Sequence, residues 1–253
     1  MYLQIRINKI QKNFGNVKAL NEIEDFFESG KLHGLIGPEG AGKTTLLRNL
    51  MGLLVPNSGN IEFYENSKIV SFENIKNKIS YMPQRQSLYP DLSIEEHLHF
   101  FKSLYGLDEK YFVLKSRELL EITRLKKFLD RPAGKLSGGM YKKLGLMLSL
   151  LQSPKVLLLD EPTNGVDPIS RREFWELLHH LISDEIIIVY ATSYMDEAER
   201  CDIVHLLDKG RLFSKGTPAN LLESAKAKTF DEYYLNHTKE NVWKAKTPSS
   251  LVI

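Results

Sequence analysis

The chain has 253 residues, 42% of them hydrophobic and 26% charged, with 34 basic against 32 acidic side chains. That length can bury a sizeable interior, as one large domain or a core with a subdomain, and a charge so near balance gives no electrostatic case for a nucleic-acid partner. One cysteine, Cys201, excludes an internal disulfide and is expected as a small buried side chain. No uncharged apolar run is long enough to cross a bilayer, and residues 1–14 lack the basic flank and apolar block of a secretory signal.

Leu3, Ile5 and Ile7 alternate with Gln4 and Arg6, which predicts a strand. The apolar run 32–36 is a second strand and ends in a glycine-rich loop; residues 43–53 then read as a helix. Pro56, Asn57, Ser58 and Gly59 mark a turn, and 61–64 and 78–82 read as further strands. Ser93 and Glu96 form a capping box ahead of Leu98, Phe101 and Leu104. With further helices at 114–128 and 137–151, residues 88–152 make a mostly helical insert.

Strand–helix alternation then resumes: strand 156–159, helix 169–182, buried strand 185–192, and a hairpin of 203–207 and 211–214 around Asp208 and Gly210. Residues past 224 predict a short helix and a loose tail. Apolar strands alternating with helices argue for an α/β fold, its mostly parallel sheet covered on both faces.

The sharpest motif is Gly37-Pro38-Glu39-Gly40-Ala41-Gly42-Lys43-Thr44, a complete G-x-x-x-x-G-K-[ST] between a strand and a helix. Its glycines let backbone N–H groups turn inward toward phosphate oxygens, and the helix N-terminus adds partial positive charge. Lys43 is placed to reach the β- and γ-phosphates and the Thr44 hydroxyl to ligate Mg²⁺, with Thr45 closing the segment. The second motif is the apolar strand ending in Asp160 and Glu161. Asp160 is the candidate Mg²⁺ ligand and Glu161 the candidate general base for the attacking water.

Leu136-Ser137-Gly138-Gly139-Met140 separates this chain from other P-loop proteins. With Tyr81-Met82-Pro83-Gln84 and the run from Glu161 to Asp167, it resembles the ABC ATPases over about residues 4–222. The resemblance implies a P-loop NTPase core, a mostly parallel sheet with an antiparallel β part, carrying an inserted helical subdomain. The implied bounds are 1–86 and 153–225 for the core, 87–152 for the helical part and 226–253 for a C-terminal extension.

It further implies that two such domains pair head to tail with ATP between them. Ser137, Gly138 and Gly139 of one domain then grip the γ-phosphate held by the other. Phe14 matches the aromatic that stacks on adenine, and Gln84 the glutamine that touches Mg²⁺ or the water. Asp167, ahead of Pro168, reads as a helix N-cap that also faces the second domain. The implied partners are transmembrane permease subunits and a second ABC ATPase domain, on the cytoplasmic face of the inner membrane. The segments around Gln84 and Gly134 to Met140 look like the first half of tandem drug-exporter ATPases. An apolar groove along 84–92 is the candidate docking surface for the permease.

One position departs from the family pattern. Ser193 stands where a histidine that contacts the γ-phosphate is expected. Too short to span the same gap unaided, it reads with Asp196 as a helix cap. Slow turnover, or a domain that mainly binds ATP, is the resulting expectation. A soluble ABC ATPase acting on ribosomes or DNA is the rival class; it usually carries a charged linker or long coiled coil, and neither is seen here. The seven histidines show no spacing that suits a transition metal.

Overall fold

The structure, a computed structural model, describes residues 2–85 and 88–246. It begins with β1 (Leu3–Phe14), β2 (Val17–Glu28), β3 (Lys31–Ile36), α1 (Lys43–Leu50), β4 (Ser58–Glu65), β5 (Lys68–Val70), α2 (Phe72–Ile75) and β6 (Ile79–Met82). Three helices come next, α3 (Ile94–Tyr105), α4 (Glu109–Thr123) and α5 (Gly138–Leu150). The chain then returns through β7 (Val156–Asp160), α6 (Pro168–Leu181), β8 (Ile187–Thr192), β9 (Ile203–Asp208), β10 (Arg211–Gly216), α7 (Pro218–Ser224) and α8 (Phe230–Lys246).

Two sheets result. One is antiparallel, in the order β2-β1-β4-β5; the other runs β10-β9-β3-β8-β7-β6, parallel throughout except for β10. The parallel strands are apolar on both faces because both faces are covered. Val156 and Leu158 of β7 join Leu46, Leu47 and Leu50 of α1 and the antiparallel sheet on one side. Leu157 and Leu159 join the side chains of α3–α6 on the other. Cys201 is buried in that second cluster, where burial raises its thiol pKa far above the ordinary value.

Local signals set the helix starts. Ser93 and Glu96 make the reciprocal capping box, and Ser137 and Asp167 accept amide hydrogen bonds at the heads of α5 and α6. The helix predicted from 114 begins five residues sooner, because the Asp108 side chain caps it through the Tyr111 amide. The tail past 224 also differs from a short helix: α8 has 17 residues, and its His237 ring stacks on Phe213 of β10 at 3.7 Å. Residues 247–253 of the expected tail lie outside the described residues, as do Gln86 and Ser87, where the core was expected to give way to the helical part.

Sequence reading missed β2 altogether. Its buried apolar residues, Leu20, Ile23 and Phe27, are three and four apart, a helical spacing. The β1–β2 ladder breaks register between Ile7 and Ile10 and again between Ile10 and Lys12, and Lys9 and Glu22 take φ of 48° and 56°. These bulges shift the two-residue period, so both strands keep their apolar residues inward.

A buried polar chain ties the two sheets together. The Glu28 amide donates to His33 Nε2 at 3.1 Å, His33 Nδ1 lies 3.0 Å from His205 Nε2, and His205 Nδ1 lies 2.6 Å from Asp25 Oδ2. Lys215 donates to the other Asp25 oxygen at 2.8 Å. His33 Nε2 also lies 3.0 Å from the Glu28 carbonyl oxygen, so this ring meets both the amide and the carbonyl of one residue. Burial, then the neighbouring His205, lowers the His33 pKa to about 3.

Candidate functional site

The loop after β3 wraps over the start of α1. Gly42 at its N-cap has φ 108° and makes no side-chain cap bond, and the first turn holds no acidic residue. The helix therefore opens its first amides and partial positive charge to an anion. Lys43 is buried and donates from Nζ to the carbonyls of Gly37 and Pro38 at 2.7 and 3.1 Å. It also lies 3.2 Å from Glu161 Oε1.

The ends of β7 and β8 bring the acids to this loop. Asp160, fully buried, accepts from Thr44 Oγ1 at 3.0 Å. Glu161 comes next with φ 47°, a left-handed conformation unusual for a side-chain-bearing residue. Ser193, just past β8, donates from Oγ to Glu161 Oε2 at 3.3 Å. The expected cap is thereby corrected: the short 3₁₀ helix Met195–Arg200 starts from Tyr194 with no side-chain cap, and the Ser193 hydroxyl faces the acid instead. Beside it, the Tyr194 amide donates to Thr192 Oγ1 at 3.1 Å.

A cavity of about 750 Å³ lies over these groups. Phe14, Glu39, Gly40, Ala41, Gly42, Lys43, Thr44, Thr45, Gln84 and Glu161 line it, joined by Val17, Lys18, Ala19, Arg85 and Lys209. Phe14 offers a half-exposed ring at its mouth, and Gln84 is exposed, with its carbonyl accepting from Lys142 Nζ at 3.2 Å. Gly37 and Pro38 sit beneath as acceptors for Lys43. The donor set suits a nucleoside triphosphate with Mg²⁺: an ammonium and helix-start amides for phosphate oxygens, and a hydroxyl and a carboxylate as hard oxygen ligands.

Ser137, Gly138, Gly139 and Asp167 are not among the residues lining this cavity. They stand elsewhere, at the starts of α5 and α6. A Cβ on Gly139 would lie 2.4 Å from Ser170 Oγ, so glycine alone allows the helices to approach this closely. The nearest atom to a Cβ on Gly138 is the carbonyl oxygen of Gly165, at 3.7 Å. A half-site for phosphate and a glycine-rich helix start thus occupy separate surfaces of one chain.

The roles of two further groups escaped the sequence reading. Tyr81 donates from its hydroxyl to Asp160 Oδ2 at 2.8 Å; burial, then the Asp160 charge, raises its pKa and keeps it a donor. Strand parity could have found it, because Tyr81 pairs with Leu158, whose face Asp160 shares two residues on. Glu197, fully buried, accepts from Thr163, Arg171, Trp175 and Tyr190 at 2.8–3.2 Å. It thereby joins the segments that come after β7 and β8.

Residues 20–164 match the family model described as ABC transporter. The chain belongs to the ABC transporter family. It is 42% identical over 234 residues to the probable multidrug ABC transporter ATP-binding protein YbhF of Escherichia coli, across 89% of this chain but 39% of that protein. This ABC chain thus spans well under half the length of that relative. It is 35% identical over 221 residues to the Nod factor export ATP-binding protein I of Burkholderia lata, covering 87% of this chain and 73% of that one. A solved structure described as the ATP-binding subunit of an ABC transporter superposes with a TM-score of 0.79 at 27% identity, covering 92% of this chain and 99% of its own. The expected P-loop NTPase fold class stands.

Proposed function

We propose that this chain is the ATP-binding, ATP-hydrolysing motor domain of a membrane exporter. The convergence of Lys43, Thr44 and Glu161 at one cavity, with Asp160 hydrogen-bonded to Thr44 behind it, carries the proposal. In this reading Lys43 leaves its loop carbonyls for phosphate oxygens, and the α1 amides hold the rest of the triphosphate. Phe14 stacks on the base. Glu161 accepts a proton from the attacking water, with Ser193 orienting its carboxylate, and Gln84 contacts the water from the strand leading to the helical insert. Mg²⁺, held by Thr44 and Asp160, neutralises charge on the phosphates when bound.

The separation of Ser137, Gly138, Gly139 and Asp167 from the cavity supports a second ABC domain as partner. In a head-to-tail pair, that helix start supplies the missing amides and hydroxyl to the partner's phosphate. The division into a core of 1–86 and 153–225, a helical part of 87–152 and an extension from 226 belongs to the same proposal. Among the described residues no helix is long and apolar enough to cross a membrane. Transport therefore implies permease subunits, with this chain peripheral on the cytoplasmic face of the inner membrane. Two relatives named for multidrug transport and Nod factor export favour outward movement of amphiphiles.

Mg²⁺-dependent ATP cleavage by the purified chain, and co-purification with polytopic membrane proteins from its own cells, test the two halves of the proposal. Cleavage without membrane partners points to the soluble ABC class. A binding-only domain is the second reading, suggested by Ser193 in the histidine position; the Ser193–Glu161 contact favours turnover. Single-turnover cleavage decides between them, since a binding-only domain releases its ATP intact.

A further inference from the structure

Asp160 has no free carboxylate oxygen. Thr44 Oγ1 donates to Oδ1 at 3.0 Å and Tyr81 Oη to Oδ2 at 2.8 Å, from opposite neighbours, α1 and β6. Thr44 belongs to the phosphate loop; Tyr81 opens the Tyr81-Met82-Pro83-Gln84 segment, of which only Gln84 was given a role. Its ring packs against the apolar cluster beneath α1. The phenol is therefore held by its ring while its hydroxyl holds the acid.

We propose that Tyr81 is a positioning residue for the magnesium-ligating carboxylate, fixing Asp160 through Oδ2 so that Oδ1 stays beside the Thr44 hydroxyl. The inference rests on reading the cavity as an ATP–Mg²⁺ site. A buried carboxylate with one unpaired oxygen is costly and free to turn about its last bond. A rigid phenol on the adjacent strand removes both faults, whereas the flexible Thr44 rotor alone leaves the carboxylate plane unset. Outer partners of metal ligands are worth about 10–100-fold in metal affinity. Because Tyr81 stands three residues ahead of Gln84, it also links the carboxylate to the strand end from which the helical insert departs.

The test uses the full chain and Tyr81→Phe, which keeps the ring and removes only the hydroxyl. Mn²⁺ is titrated in the presence of ATP and followed by electron paramagnetic resonance; a fluorescent ATP analogue is titrated in EDTA. The expected result is Mn²⁺ affinity about 10-fold weaker or worse, with metal-free nucleotide affinity unchanged. Leu158→Ala, which loosens the same sheet face but keeps the hydroxyl, should leave Mn²⁺ affinity at the parent value. Unchanged Mn²⁺ affinity in Tyr81→Phe overturns the proposal. So does a parallel loss in EDTA, or an equal loss in Leu158→Ala, since either marks general loosening. A parent chain that binds nucleotide in neither titration overturns the site reading itself, and Tyr81's role with it.

Discussion

Lys43 Nζ lies 3.2 Å from Glu161 Oε1, with each side chain only 6% exposed. The ammonium has three protons, and Gly37, Pro38 and Glu161 supply three acceptors. Nucleotide binding thus exchanges an internal set of partners for an external one. Glu161→Gln keeps the shape and removes the competing charge. Its expected outcome is ATP affinity equal to or tighter than the parent's, with single-turnover cleavage lowered about 10²–10⁴-fold. Loss of binding together with cleavage would show that Glu161 organises the loop and not the water.

Lys43→Ala removes the ammonium and leaves the Gly37 and Pro38 carbonyls to water. Hydrogen bonds from a charged group contribute about 1.5–3 kcal/mol each, so a fluorescent ATP analogue should bind about 10–100-fold more weakly. An unaltered affinity would remove the phosphate loop from the account.

Ser193 has one visible partner in the site, the Glu161 carboxylate at 3.3 Å. Ser193→Ala should lower steady-state turnover several-fold, about the 0.5–1.5 kcal/mol of one ordinary hydrogen bond, and leave KM for ATP unchanged. Ser193→His should raise turnover, because an imidazole reaches past Glu161 into the cavity. A rise in KM alone, in either variant, would assign Ser193 to binding.

Much of this site could be read from the sequence, because its parts are contiguous. Gly37 to Thr44 and the Asp160–Glu161 pair each sit where a strand ends and the next segment begins, so chain order alone fixes their neighbours. What escaped depends on contacts between distant segments. Tyr81 meets Asp160 only through the β6–β7 register, and Glu197 draws donors from four places in the chain. Ser193 misled for the same reason: Asp196 three residues on is a local cue for a cap, and a tertiary contact with Glu161 overrode it. In the fold, β2 was hidden by bulges that change its period, whereas β7 and β8, buried on both faces, announced themselves as continuous apolar runs.

Gly139 tests the seam between α5 and α6. A methyl there would lie 2.4 Å from Ser170, so Gly139→Ala should destabilise the fold by about 1–3 kcal/mol, read as a lower denaturation midpoint. Ser170→Gly in the same chain should recover most of the loss. No recovery would place the clash elsewhere.

Acid should weaken the chain through the buried polar link. His33 titrates near 3 when folded and near 6.5 when unfolded, so between those values the unfolded state binds the extra proton. Asp25 acts lower on the scale: burial pushes its carboxyl up, but His205 and Lys215 outweigh that and hold it below its ordinary value of 3.8, so its share is lost only as pH falls below that value. Stability from His33 is complete above about pH 6.5 and declines as pH falls toward 3. Urea midpoints from pH 7 to 5 should fall in the parent and fall less steeply in His33→Gln. Parallel slopes would exclude His33 as the source.

The β9–β10 turn touches the phosphate loop through main-chain atoms: the Gly210 amide donates to the Ala41 carbonyl at 2.9 Å, and its own carbonyl accepts from the Asn21 amide at 2.8 Å. Such a clamp is made without the side chains of positions 21 and 41. A single carbon added at Gly42 or Gly210, by contrast, strikes the Ala19 carbonyl at 2.5 or 2.7 Å. A carbon added at Gly37 would lie closer still, 2.1 Å from the Leu207 carbonyl oxygen, so the loop's shape is inherited through missing methyl groups, and mutational scanning should find these three positions intolerant.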